Sequence, residues 1–215
     1  MDNLSFATLC HDLRQPLYAA RLSLAALQAR AALAQPEREA LRRVEAALAA
    51  VELMVAHAGH PPRRVPVALG QLIEQLVAEL APAAQSKGVL LKGLATKRIA
   101  HSDPVLLERL LRNLVTNAIA YSSKGSVVVG CRRQGRHHIR IEVWDQGPGI
   151  DGQQLAECFR PYRRLGRSES GEGLGLTSVR LLADSLGHDI QASSCPGRGS
   201  CFAVIIDQGT KDGND

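Results

Sequence analysis

The first part of the chain repeats its apolar residues at alternating intervals of three and four. One such run covers residues 13–31, and a second covers residues 41–55. This spacing is typical of the a and d positions of helices that pack against each other. Pro36 lies between the two runs, where it fits the first turn of a new helix. The pattern therefore predicts an antiparallel helical hairpin.

Two helices alone cannot enclose a hydrophobic core, so the apolar seam of this hairpin needs a further partner. A second copy of the chain would complete a four-helix bundle and make the protein a homodimer. The alternative is that the hairpin packs on the rest of its own chain. Residues 1–60 are rich in alanine and carry balanced charge, and this self-contained composition favours the homodimer.

The hydrophobic pattern changes after residue 60, where the prolines of HPPRRVP indicate a linker. Beyond it, apolar runs of helical period alternate with short runs of strand length. Asp103 is placed to cap a helix, and Gly135 marks a hairpin between two strands. The predicted helices are residues 69–86, 104–121 and 174–186, and the predicted apolar segment and strands are residues 89–94, 126–132, 138–145, 189–194 and 200–206.

Helices combined with a mostly antiparallel set of strands indicate an α+β fold, a two-layer α/β sandwich with its helices on one face. The predicted organisation has four parts. A dimerising helical hairpin occupies residues 1–60, a linker residues 61–66, the sandwich domain residues 67–208 and a flexible tail residues 209–215.

Composition narrows the class of protein. The 215 residues are 45% hydrophobic and 22% charged, as in a globular chain. No apolar run approaches the ~20 residues that span a bilayer, and the N-terminus lacks the pattern of a signal peptide. We therefore predict a cytoplasmic chain without a membrane segment. The five cysteines include no CxxC pair, so they and Trp144 are expected to pack in the interior.

The net charge of +5 comes entirely from the part of the chain beyond residue 60. A basic face could bind nucleic acid. However, aromatic residues make up only 3% of the chain, and no nucleic-acid-binding motif is present. A phosphorylated small ligand accounts for the charge as well, so no nucleic-acid partner is predicted.

Three motifs of the second part carry residues suited to a nucleotide. In NLVTNAIAYS, Asn113 and Asn117 share one helix face, and a carboxamide oxygen is a suitable ligand for Mg²⁺. In DQGPGI, Asp145 can accept a hydrogen bond from an exocyclic amine, while Gly147 and Gly149 permit close approach of the backbone to a flat ring. GEGLGL opens a helix whose N-terminal N–H groups favour phosphate.

In this order and spacing, the motifs resemble those of a known family, the sensor histidine kinases of two-component signalling. NLVTNAIAYS, DQGPGI, FRPYRR and GEGLGL are similar to the N, G1, F and G2 boxes of the ATP-binding domain in that family. HDLRQPL, residues 11–17, resembles the phosphoacceptor box of its dimerisation domain. The resemblance implies a sandwich of the Bergerat type, shared with gyrase-type ATPases, after a dimeric helical hairpin.

The resemblance also implies the ligands and the site residues. ATP and Mg²⁺ are the expected cofactors, and Mg²⁺ is expected to be held by Asn117 together with the ATP phosphates. His11 is the expected phosphoacceptor, with Asp12 accepting its Nδ1 proton so that Nε2 can attack the γ-phosphate. The residues expected to bind the nucleotide are Asn113, Asn117, Tyr121, Asp145, Gly147, Gly149, Arg163, Arg164, Gly171, Gly173, Leu174 and Gly175.

Pro16 weakens the first helix one turn beyond His11, since a proline removes one backbone donor and crowds the preceding turn. We interpret it as a hinge that lets the helix bend near the phosphoacceptor; the alternative is a passive kink. The family often has Lys or Arg where Ala120 stands, and the arginines of FRPYRRLGR could replace that phosphate contact. The family's usual threonine is replaced by Gln15, which leaves phosphatase activity open.

The predicted function is that of a histidine kinase core that passes phosphate from His11 to an aspartate of a response-regulator receiver domain. Its sensor domain is expected to lie outside this sequence, in a larger protein that could be a membrane sensor. The alternative is an inactive phosphotransfer or scaffold protein with a degenerate nucleotide site. An ATPase of the chaperone or topoisomerase kind is disfavoured because Asn113 stands where such enzymes need a glutamate.

Overall fold

The computed structural model describes residues 62–159 and 175–208, together with helical positions at residues 19–20, 23–24, 44, 48 and 51. The chain divides into two compact units, Met1–Pro62 and Arg63–Asp215. The predicted hairpin as a whole, its four-helix bundle and the predicted tail lie outside the described residues. Within the described residues, no helix has the length and the hydropathy that crossing a bilayer requires.

The second unit alternates strands and helices in the order that the pattern predicts, with three additional short elements. Its strands are β1 Val65–Ala68, β2 Val89–Gly93, β3 Ile99–Ser102, β4 Gly125–Gln134, β5 His138–Trp144, β6 Asp189–Cys195 and β7 Gly199–Asp207. Its helices are α1 Leu69–Ser86, α2 Pro104–Tyr121, α3 Gly152–Glu157 and α4 Gly175–Leu186.

The main sheet has five strands in the order β2-β4-β5-β7-β6. β2 runs parallel to β4, and every other neighbouring pair is antiparallel. The β4–β5 connection is the predicted hairpin, with Gly135 at φ 64°. β1 and β3 form a separate two-stranded antiparallel sheet.

One face of the main sheet forms the core. The register places Val129, Val143 and Phe202 side by side on three strands, and all three are buried. α1 covers β2. Leucines of α2 and α4 complete this core, since these two helices pack against each other. The fully buried leucines of these two helices include Leu107, Leu110, Leu111, Leu114, Leu182 and Leu186. The predicted α+β sandwich is therefore confirmed for this unit.

The opposite face of the sheet is exposed in part, and this corrects the expectation for Trp144. Its side chain is 49% exposed, because it follows buried Val143 and so points away from the helices. Leu90 and Leu94 are also exposed at 55% and 56%. The expectation that the cysteines are buried is likewise wrong for Cys195, which is exposed at the end of β6.

β1 begins at Val65, inside the stretch predicted as a linker. Pro66 is compatible with this strand because β1 has a neighbour on one side only, so the missing N–H of the proline breaks no central ladder. The four-residue strand β3 and the six-residue helix α3 also escaped prediction. Elements this short carry too few residues to establish a period.

Candidate functional site

Asp145 lies directly after β5, where the chain leaves the sheet. Its side chain is only 9% exposed, and its Oδ1 accepts hydrogen bonds from the backbone N–H groups of Gly147 at 2.8 Å and Ser200 at 3.2 Å. Both bonds use Oδ1, so within the described part of the chain Oδ2 has no hydrogen-bond donor. Burial raises the pKa of the Asp145 carboxyl, and the two backbone hydrogen bonds oppose that rise.

A pocket opens beside Asp145. Its walls combine apolar side chains with a few polar groups, which is the usual composition of a small-molecule site. α2, the loop after β5, the start of α4 and the start of β7 all contribute. The lining residues are Asn117, Ala118, Tyr121, Asp145, Pro148, Gly149, Ile150, Leu176, Ser200 and Phe202.

The helix α2 positions the polar wall of the pocket. Asp103 caps its first turn by accepting hydrogen bonds from Val105 N and Leu106 N at 3.0 and 3.1 Å. Asn117 and Tyr121, one turn apart on this helix, both line the pocket. Burial raises the pKa of the Tyr121 hydroxyl, which therefore stays protonated and can donate a hydrogen bond. Asn113 lies one turn earlier and is not among the lining residues.

Packing within the protein gives the two glycines after Asp145 a structural reason in addition to the predicted approach to a flat ring. Gly149 adopts φ +71°, and a Cβ there would lie 2.1 Å from the carbonyl oxygen of Cys195. A Cβ on Gly147 would lie 2.9 Å from Asp145 Oδ1. Close packing against the protein itself therefore demands these glycines, although Gly149 also borders the pocket. A hydrogen bond of 2.7 Å from Gly197 N to the Pro148 carbonyl ties the loop to the β6–β7 turn.

Sequence reasoning missed the contribution of β7. Ser200 and Phe202 are two residues apart on the same face of β7, and both line the pocket. The Phe202 ring also meets Phe159 edge to face, with centroids 6.1 Å apart. The glycines before β7 indicated a turn, but nothing in the local pattern showed that this turn packs beside Asp145.

The structure brings four of the predicted nucleotide-binding residues to the pocket wall, namely Asn117, Tyr121, Asp145 and Gly149. Gly147 adjoins it through its contact with Asp145. Gly175 begins α4, whose next residue Leu176 lines the pocket. The predicted residues that lie outside the described ones are His11, Asp12, Arg163, Arg164, Gly171, Gly173 and Leu174.

The site fits an adenine nucleotide on its own chemistry. A carboxylate oxygen without a donor faces an apolar pocket, as the exocyclic amine of a flat base requires. Asn117 offers one carboxamide oxygen to a hard cation. Among the described residues, no group of three or more His, Cys, Asp or Glu side chains could hold a metal ion. A cation here would therefore take most of its ligands from phosphates and water.

Comparison with known proteins agrees with this geometry. Residues 102–210 match the family model described as "Histidine kinase-, DNA gyrase B-, and HSP90-like ATPase". The sensor protein TorS of Escherichia coli (strain K12) is 36% identical over 104 residues, which are 48% of this chain and 11% of TorS. The sensor protein KdpD of Mycobacterium tuberculosis (strain H37Rv) is 31% identical over 217 residues, covering 92% of this chain and 24% of KdpD. This chain thus spans at most about a quarter of these relatives.

A solved structure shows a similar fold. Full-length ShkA in complex with AMPPNP superposes with a TM-score of 0.67 at 23% sequence identity, covering 96% of this chain and 46% of ShkA. The histidine kinase AdeS of Acinetobacter baumannii superposes with a TM-score of 0.60 at 20% identity, covering 93% of this chain and 98% of the AdeS chain.

Proposed function

The chain belongs to the family of histidine kinase-, DNA gyrase B- and HSP90-like ATPases, and we propose that it is the core of an ATP-dependent, autophosphorylating protein-histidine kinase of a bacterial two-component system. The observation that carries the proposal is the pocket beside Asp145. It unites a buried carboxylate, an apolar wall and the Asn117 side chain, and these groups match the base and the metal-bound phosphates of ATP.

The pocket residues have distinct roles in holding the nucleotide. Oδ2 of Asp145 accepts a hydrogen bond from the exocyclic amine of adenine, while the bonds to Oδ1 fix the carboxylate. Ile150, Leu176 and Phe202 exclude water from the base. The carboxamide of Asn117 would serve as an oxygen ligand of Mg²⁺, which would supply neutralisation of the phosphate charge. Asn113 extends the same face of α2 toward the phosphates.

The chemical step belongs to His11 and Asp12 in the sequence HDLRQPL, which lies outside the described residues. Nε2 of the neutral imidazole attacks the γ-phosphorus in line, so that an N–P bond forms as the P–O bond to the departing ADP breaks. Asp12 accepts the Nδ1 proton that the positively charged ring releases. The phosphoryl group then passes to an aspartate of a receiver domain, which makes a response regulator the partner of this chain.

A homodimer and a hinge complete the proposal. Val44 and Val51 are seven residues apart on helical segments of the first unit, and they are 49% and 41% exposed. Exposed valines at heptad spacing support a seam that a second copy covers. Pro16 acts as the bend that lets the phosphoacceptor meet the nucleotide in one state and leave it in another.

Labelled ATP tests this function. The whole chain, incubated with Mg²⁺ and γ-labelled ATP, should acquire phosphate that is lost in acid and retained in base, as an N–P bond requires. A chain that binds ATP but acquires no label would support the alternative, an inactive phosphotransfer or scaffold protein. Label that survives acid would indicate a hydroxyl acceptor and would contradict a histidine kinase.

A further inference from the structure

The described wall of the pocket lacks a positive charge. Asp145 carries the only formal charge among the lining residues, and that charge is negative. The phosphates of ATP carry several negative charges. The arginines of FRPYRRLGR lie outside the residues that the structure describes. A described residue that placed a cation near the Asn117 face of α2 would complement the charge of the phosphates.

Lys87 supplies a cation next to this face. It follows α1 as its C-cap residue, and its Nζ donates a hydrogen bond of 3.0 Å to the backbone carbonyl of Ala120. Ala120 directly precedes Tyr121 and lies three residues after Asn117, and both of those side chains line the pocket. Three residues of helix rise about 4.5 Å along the axis. The Lys87 ammonium is therefore bound to a carbonyl group that lies less than one helical turn along α2 from Asn117.

The fold explains how a residue so distant in sequence reaches α2. β2 runs parallel to β4 with Val89 opposite Gly125. The end of α1, before β2, and the end of α2, before β4, therefore lie at the same end of the sheet. The chain leaves β5 at Asp145 at this same end of the sheet, since β5 is antiparallel to β4.

We propose that Lys87 is a phosphate-binding residue of the nucleotide site and supplies the positive charge that α2 lacks at Ala120. This assignment rests on the proposed function and names a residue for it from another helix. An ammonium group has three N–H donors, so Lys87 can keep its bond to the Ala120 carbonyl and donate another to a phosphate oxygen. The contact favours nucleotides over nucleosides and leaves recognition of the base to Asp145.

A purely structural role for Lys87 makes a different prediction. Lysines near a helix C-terminus stabilise it by hydrogen-bonding the last carbonyls. Lys87→Gln separates the two roles, because glutamine can still donate to the Ala120 carbonyl but carries no charge. Lys87→Arg keeps the charge. Lys92→Gln is the matched control, since Lys92 is an exposed lysine of β2 in register with Val128.

Calorimetry with ATP, ADP and adenosine on the full chain and these three variants tests the assignment. A charge-assisted contact at an exposed residue predicts that Lys87→Gln raises the Kd for ATP by about 5- to 30-fold. The Kd for adenosine should not change. Lys87→Arg should stay within about threefold of wild type for ATP, and Lys92→Gln should match wild type for all three ligands.

Three results overturn the assignment while leaving the nucleotide site intact, two of them for Lys87→Gln and one for wild type. One is an ATP affinity of Lys87→Gln equal to that of wild type. The other is an equal loss for ATP and adenosine with a lower melting temperature, which would identify a helix cap only. A wild-type chain that binds adenosine and ATP with the same affinity also overturns it. A wild-type chain that binds none of the three ligands contradicts the proposed function itself, and Lys87 falls with it.

Discussion

Asp145 is the residue to which the proposed function assigns recognition of the base. Asp145→Asn keeps the size of the side chain and an acceptor for Gly147 N and Ser200 N, but places an NH₂ donor where the adenine amine needs an acceptor. Losing a hydrogen bond to a charged group costs roughly 1.5 to 3 kcal/mol. We therefore expect Asp145→Asn to bind ATP about 10- to 150-fold more weakly than wild type does, and to lose affinity for ADP by the same factor. Calorimetry that gave wild-type affinity for both would contradict the assignment of Asp145.

His188 makes the stability of the second unit depend on pH. Its Nε2 lies 2.8 Å from Ser102 Oγ in the interior, and burial, followed by the charge of Arg64, lowers the pKa of His188 from 6.5 to about 4. The fold thus favours the neutral ring. Its contribution to stability is complete above pH 6.5 and is lost as pH falls toward 4, by up to roughly 3 kcal/mol.

A non-titrating variant tests this effect. Denaturant unfolding of wild type and His188→Asn should show a stability difference that shrinks between about pH 7 and pH 4.5, because only wild type must exclude a proton from this site. If the difference in unfolding free energy between the two proteins is independent of pH over this window, the pKa of His188 does not differ between the folded and unfolded states.

The loop after β5 and the turn before β7 act as one unit of the site. Gly199 adopts φ +95°, and a Cβ there would lie 2.0 Å from the carbonyl oxygen of Asp145. Gly197 in the same turn adopts φ +77° with no atom within 4 Å of its Cβ position. The two glycines share a positive φ and differ in the space beside them, so they form a matched pair.

Alanine at the two positions should have unequal effects. Gly197→Ala should cost about 1 to 2 kcal/mol of stability for the left-handed backbone alone. Gly199→Ala should cost more and should also weaken ATP binding, because the clash displaces Asp145. Thermal melts and calorimetry check both. Equal stability and equal ATP affinity in the two variants would show that the close contact at Gly199 does not position the carboxylate.

Long periodic elements were predictable from the sequence, and contacts between distant segments were not. α1 and α2 have repeating apolar residues, and Asp103 marks the start of the second. β1 and β3 have four residues each, and only their pairing defines them. In the site, Asn117 and Asp145 stand in recognisable local motifs. Ser200 and Lys87 reach the same region through sheet register and helix packing, which no local pattern records.

Dimerisation is the property of the whole molecule that the first unit should control. Replacing Leu48 and Val51 with glutamate would bury unpaired charge in the proposed seam, at a severe cost. We expect light scattering to show a dimer for wild type and monomers for the double variant. Val105→Glu is the control, since Val105 of α2 is 69% exposed in the second unit. A monomeric wild type at micromolar concentration would contradict the four-helix bundle.

The most direct test of a histidine kinase is the incorporation of γ-labelled phosphate by wild type and by His11→Ala under the same conditions. Because the acceptor and the nucleotide pocket belong to separate units of the chain, His11→Ala should lose all acid-labile label while binding ATP as wild type does. Asp12→Asn should be slowed by about 10²- to 10⁴-fold with unchanged ATP affinity. Acid-labile label that persists in His11→Ala would contradict the account.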